Sequence, residues 1–318
     1  MILRNFYVLL LLMAGSMSPA AWSACTVTIA NASFGSVTSV AINSTAQPTS
    51  SSMVVACDNP LSMQSTDRIS MQLVSAGSFA GTRATLTNIA TGDVIPIRVC
   101  GSANCAENSE VAMGSTFSWS GSVMPGLLDA RSWTLPIYFM TVPGQQVSAG
   151  SWLVTLNLLI DYQLCAVGGV YCDTGSQIPR TLQLDLTVSN DCLTINAPAV
   201  NFGSAPLVEN FATLSQSIIL NCTKGSDFTI GIDNGLNAVN GVRYMLNGSA
   251  RMAYEIYKDN TANRWGSSGA QRRSSTEGIL AADSMTRIFN YTAKVLTSQS
   301  TPAISGDYTD TLVVDIIF

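Results

Sequence analysis

Eight cysteines and no histidine bound the chemistry open to this 318-residue chain. Without an imidazole there is no side chain whose ordinary pKa suits general acid–base work near neutral pH. Cysteine spacing fits neither a tetrahedral metal set nor a Cys-x-x-Cys redox pair beside a helix. The loop acids Asp58, Asp67, Glu107, Glu110 and Asp129 could in principle furnish the two carboxylates of a hydrolase, yet no pair of them stands in a recognisable catalytic setting. No nucleophilic serine motif or phosphate loop is present. The reading is therefore a non-enzyme without cofactor or metal, whose cysteines form four structural bridges.

The elements that must place those bridges begin after a leader. Residues 1–24 set Arg4 ahead of a short apolar run and then small residues, the layout of a secretory signal peptide. No later stretch is long and apolar enough to span a bilayer. Cys25 follows at once and would suit a lipidated terminus, but Trp22 stands where that cleavage box wants Leu, and lipidation would orphan Cys57. A net charge of -5 with no basic stripe argues against nucleic acid as partner. From Ala24 to Asn190 the only cations are Arg68, Arg83, Arg98, Arg131 and Arg180.

An internal repeat chooses the bridges. Cys25 begins CTVTIANASFGS and Cys192 begins CLTINAPAVNFGS, and the next cysteines, Cys57 and Cys222, follow at near-equal intervals. Further marks recur in order: Arg83 with Arg243, Trp119 with Trp265, and Gly150-Ser151-Trp152 with Gly306-Asp307-Tyr308. Cys25 thus pairs with Cys57 and Cys192 with Cys222, each joining the start of a first strand to the end of a second. The remaining four lie close together as Cys100 with Cys105 and Cys165 with Cys172. Short alternating runs such as TVTI, ISMQLV and SIILNC, separated by Gly, Asn, Ser and Pro, indicate strands throughout. The expected fold is all-β: two tandem Ig-like antiparallel Greek-key β-sandwiches over 25–190 and 191–318.

The repeats differ at their ends. In the first, Leu182, Leu184, Leu186 and Val188 alternate with polar residues as a final half-buried strand. In the second, the sequence closes on the preceding strand, with Leu312, Val314, Ile316 and Phe318 as its acceptor face. A sandwich lacking its last strand leaves unpaired backbone groups beside an open core, which a strand from another chain would fill. Cys25 stands too near the mature start to leave a donor extension, so the expectation is a subunit that accepts a strand without giving one.

These residues resemble the spore coat protein U domain used twice, as in two-domain tip adhesins of archaic, Csu-type chaperone-usher pili. The marks are the Cys192–Cys222 pair, Phe202-Gly203, RYMLNGSARMAYEIYKDN followed by Arg264-Trp265-Gly266, and the closing SGDYTDTLVVDIIF. The resemblance implies a periplasmic chaperone that fills the groove temporarily, an outer-membrane usher, and an adjacent pilin that finally donates its N-terminal strand. It also implies passage through the periplasm to a pilus tip at the cell surface, with attachment to abiotic or host surfaces and biofilm formation. A structural pilus or coat subunit and a glycan-binding tip lectin are the alternatives. Adhesion is expected from apolar residues in three loops of the first domain: Leu61 and Met63; Val123, Met124, Leu127 and Leu128; and Val167, Val170 and Tyr171.

Overall fold

The computed structural model describes residues 25–61, 67–106, 108–121, 130–165 and 171–318. The expected leader and most of the three loops expected to be adhesive lie outside these residues. No helix among the described residues is long and apolar enough to cross a membrane.

The first repeat folds into β1 (Thr26–Ile29), β2 (Ala32–Thr38), β3 (Pro48–Leu61), β4 (Arg68–Ala76), β5 (Phe79–Ala80), β6 (Arg83–Asn88), β7 (Val94–Cys100), β8 (Thr116–Ser120), β9 (Ala130–Thr141), β10 (Gly150–Cys165) and β11 (Cys172–Ser189). A short helix, α1 (Ser39–Ser44), starts where the Thr38 hydroxyl accepts from the Ala41 amide. One face runs β1-β3-β9-β7 and the other β8-β4-β10-β11-β2, with β6 joining β7 to β10. The chain leaves β1 and crosses to the opposite face as β2, which lies parallel to β11. This crossing corrects the simple expectation for Cys25 and Cys57: the bridge joins β1 to β3, and β2 and α1 intervene.

Strand period explains the core. Along β10, Trp152, Val154, Leu156, Leu158 and Ile160 all point inward and are buried, while their neighbours alternate outward. On β11, Leu182, Leu184, Leu186 and Val188 meet them and are at most 2% exposed. The segment Leu182–Val188 thus completes the first domain, pairing antiparallel with β10.

The second repeat forms β12 (Cys192–Asn196), β13 (Leu214–Cys222), β14 (Thr229–Ile232), β15 (Arg243–Asn247), β16 (Ala250–Lys258), β17 (Arg273–Ser274), β18 (Ile279–Leu280), β19 (Thr286–Val295) and β20 (Val314–Ile317). One sheet runs β12-β13-β19-β16-β15, with β18 also on β19, and the other runs β17-β14-β20. All four bridges form as read from the spacing.

Backbone detail fixes the correspondence between repeats. Gly150 and Gly306 share a left-handed φ, +128° and +132°, which glycine alone adopts without strain. Each faces an asparagine that ends the β6 or β15 strand: Asn88 donates to Ala149 O and Asn247 to Ser305 O. Two sequence matches are corrected by this register. Arg243 pairs with Tyr254 at the place where Ala84 stands in the first repeat, one residue after Arg83. Trp265 hangs on β16 through its amide and the Ile256 carbonyl, as Val111 hangs on Val99, whereas Trp119 lies within β8 opposite Ile69. The tryptophans fill different places because similar local sequence does not fix which strand a loop returns to.

Polar contacts join the repeats. Lys224 Nζ reaches Asp93 Oδ1 at 2.6 Å, and the other Asp93 oxygen accepts from Ser148 N and Oγ. Burial pushes the Asp93 carboxyl up, but these hydrogen bonds prevail and hold it below the ordinary range.

Candidate functional site

The register between repeats turns β10 into a template for the stretch ending in β20. Trp152, Val154, Leu156, Leu158, Ile160 and Tyr162 correspond in order to Tyr308, Asp310, Leu312, Val314, Ile316 and Phe318. In the first repeat all six are buried; in the second the first five are half-buried and Phe318 is 52% exposed. The chemistry of the side chains differs little at most of these positions. What differs is cover: β10 has β4 on one edge and β11 on the other, while β20 pairs only with β14 among the described residues.

An open groove lies along that free edge. One section, of about 370 Å³, is walled by Val200, Phe202, Ile218, Tyr254, Ile256 and Leu312 among others. It shares Val200, Phe202, Met245, Tyr308 and Thr309 with a second section of about 710 Å³ that continues past Val208, Phe211 and Met252. The segment 197–207 that forms the far wall carries no strand, whereas its counterpart β2 is held straight by β11. An apolar trough flanked by strand-like backbone without a ladder partner is the geometry that an added β-strand fills.

Of the four residues expected as an acceptor face, Val314 and Ile316 fall within β20 and Leu312 and Phe318 beside it. Leu312, Val314 and Ile316 face the core cluster, and the Phe318 ring meets Phe228 edge-on at 6.1 Å. Sequence reasoning passed over one acid on this face. Asp310 takes the place of core Val154, with Oδ2 accepting from Tyr254 Oη at 2.6 Å and Oδ1 from the Asn237 backbone and side-chain amides at 3.2 and 3.0 Å. A Cβ at Gly235 would overlap the carboxylate, so glycine leaves room for it. Burial first, and then the bond to Asp310, push the Tyr254 phenol far above the usual tyrosine range. The signal was available in TDTLVV, where an acid occupies an alternate position otherwise apolar.

A buried ion cluster ties the strands of the second domain together. Arg243, wholly buried, donates to Glu255, to the carbonyls of Ile232 and Asp233, and to Trp265 O. Arg264 closes the cluster at 2.7 Å from the other Glu255 oxygen. The first repeat reverses the signs: Glu110 stands where Arg264 does, and bonds Arg98 and Arg83 at 2.8 and 2.6 Å.

Of the expected adhesive residues, Tyr171 is described and exposed, at 37%. Leu61 ends β3 opposite Ala130, with its side chain outside the described set. Met63, Val123, Met124, Leu127, Leu128, Val167 and Val170 lie outside the described residues. The strand ends that flank the three loops do converge. Gln163 pairs with Arg68, Arg68 with Ser120, and Cys165 with Cys172, while the Cys165 amide donates to Asp67. This pole lies at the far end of β10 from the contacts with the second repeat.

The model of the Spore Coat Protein U domain matches residues 12–158 and again 178–315. The chain belongs to the Spore Coat Protein U domain family, which it carries in two copies, and it is not an enzyme. Its fold is similar to that of a chain in the chaperone–tip adhesin pre-assembly complex CsuC–CsuE from archaic chaperone-usher Csu pili of Acinetobacter baumannii, with 22% identity, TM-score 0.60, and coverage of 93% of this chain and all of that one. The CupB6 tip adhesin of Pseudomonas aeruginosa matches at 12% identity and TM-score 0.36, covering 92% of this chain and 94% of that one. A search of curated proteins returned no match.

Proposed function

We propose that this protein is a tip adhesin of a chaperone-usher pilus. Its second domain is joined to the fibre by a donor strand from an adjacent pilin, and its first domain makes contact with a surface. The observation that carries the reading is the groove between 197–207 and 301–314, open where the first domain holds its own β11. One domain fills its socket and the other leaves it open, so the described residues offer one acceptor site, in the second domain. During assembly a periplasmic chaperone occupies that site, the outer-membrane usher exchanges it for the pilin strand, and the product stands at the cell surface. Isolation of the exported protein from the periplasm, followed by mass spectrometry, should yield a stoichiometric chaperone-sized partner. A stable free monomer would remove the basis of the reading.

Adhesion and biofilm formation are assigned to the three apolar loops, whose flanking strand ends gather at the pole opposite the second domain. Support comes from exposed Tyr171 and from the apolar residues of the loop sequences. Exchange of Val167, Val170, Tyr171, Met124 and Leu127 together for Ser should abolish attachment to plastic while pili still assemble. Undiminished attachment would show that the surface contact lies elsewhere.

A further inference from the structure

The first domain is a worked example of a filled groove, and its register can be laid on the open one. On β11, Leu182 stands opposite Leu156, Leu184 opposite Val154 and Leu186 opposite Trp152. Carried over, an incoming strand sets three successive inward side chains opposite Leu312, Asp310 and Tyr308. The outer two meet apolar walls: Ile218 and Ile256 near Leu312, Met245 and Phe202 near Tyr308. The middle one meets a carboxylate.

That carboxylate is built in rather than incidental. It is held from three donors, its room is secured by Gly235, and it lines the groove together with Tyr254, itself 3% exposed. An ionised carboxylate offers about four lone-pair positions, and three hydrogen bonds are recorded here, so acceptor capacity remains. A leucine pressed against it, as Leu184 is against Val154, would strip water from a charge and return no hydrogen bond.

We propose that Asp310 selects the incoming strand: the donor segment carries a hydrogen-bonding side chain opposite Asp310, between two large apolar residues that anchor on either side. This rests on the donor-strand reading above. The first domain shows the opposite choice, Val154 with Leu184, so the two grooves differ at one position in a way that keeps the wrong strand out.

The chain's own β11 supplies the probe. A labelled peptide with the sequence of residues 179–189, and the same peptide with Leu184→Thr, would be titrated against the full mature chain by fluorescence anisotropy. Hydrogen exchange over 308–317 would confirm where they bind. The Thr peptide should bind roughly tenfold more tightly than the Leu peptide, and Asp310→Val should reverse that order. Asp310→Asn, which keeps the shape and removes the charge, should reduce the preference, and it carries the test if the Val variant does not fold. Equal binding of both peptides, or a preference unchanged in both variants, would overturn the role of Asp310 and leave the groove as an acceptor. Failure of both peptides to protect 308–317 would overturn the donor-strand reading and the selection with it.

Discussion

Glu255 and Glu110 each hold two arginines, but the consequences differ because burial differs. Arg243 has no exposed side-chain surface, whereas Arg83 and Arg98 are 40% and 30% exposed. A buried cation left without its counter-ion costs about 3–5 kcal/mol, while exposed pairs contribute about 0–1 kcal/mol. Glu255→Ala should therefore lower unfolding stability by about 3 kcal/mol, the carbonyl bonds of Arg243 limiting the loss, and Glu110→Gln by about 1 kcal/mol or less. Chemical denaturation of both variants beside the parent measures the contrast; equal losses would show that the clusters are equivalent. Neither triad was legible in the sequence. Its members come from two strands and a loop, and the sign reversal between Arg98–Glu110 and Glu255–Arg264 hides the correspondence from any comparison of residue types.

Strands are where the sequence spoke most clearly. Alternation of Leu182, Leu184, Leu186 and Val188 forecast β11, and the near-equal cysteine intervals forecast the bridges, because both depend on local period and on a repeat. The passage of the chain from β1 to β2 across the sandwich was not legible, nor was the strandless wall 197–207, since each is set by a partner far away in sequence. The tryptophan match failed for the same reason: Trp265 and Trp119 answer to different strands. Since β11 does for the first domain what a donor would do for the second, its weight can be measured directly. Leu184→Ala removes a side chain with no exposed surface and should cost about 2–4 kcal/mol. A loss under about 1 kcal/mol in calorimetry or denaturant unfolding would mean that β11 contributes little to that core.

At the scale of the molecule, the described residues of the second domain hold no strand in the place that β11 takes in the first, and that difference gives the chain a direction. One pole gathers the ends of β3, β4, β8, β9, β10 and β11, the strands that precede and follow the apolar loop sequences. The other is tied to the second domain through Asp93, Lys224 and Ser148, beyond which lies the open groove. Hydrogen exchange on the full mature chain compares the two sockets within one sample. Amides of 308–317 should exchange far faster than those of 150–160 in the chain alone, and become protected when chaperone or a donor peptide is added. Protection of 308–317 equal to that of 150–160 in the free monomer would contradict the open groove on which the account rests.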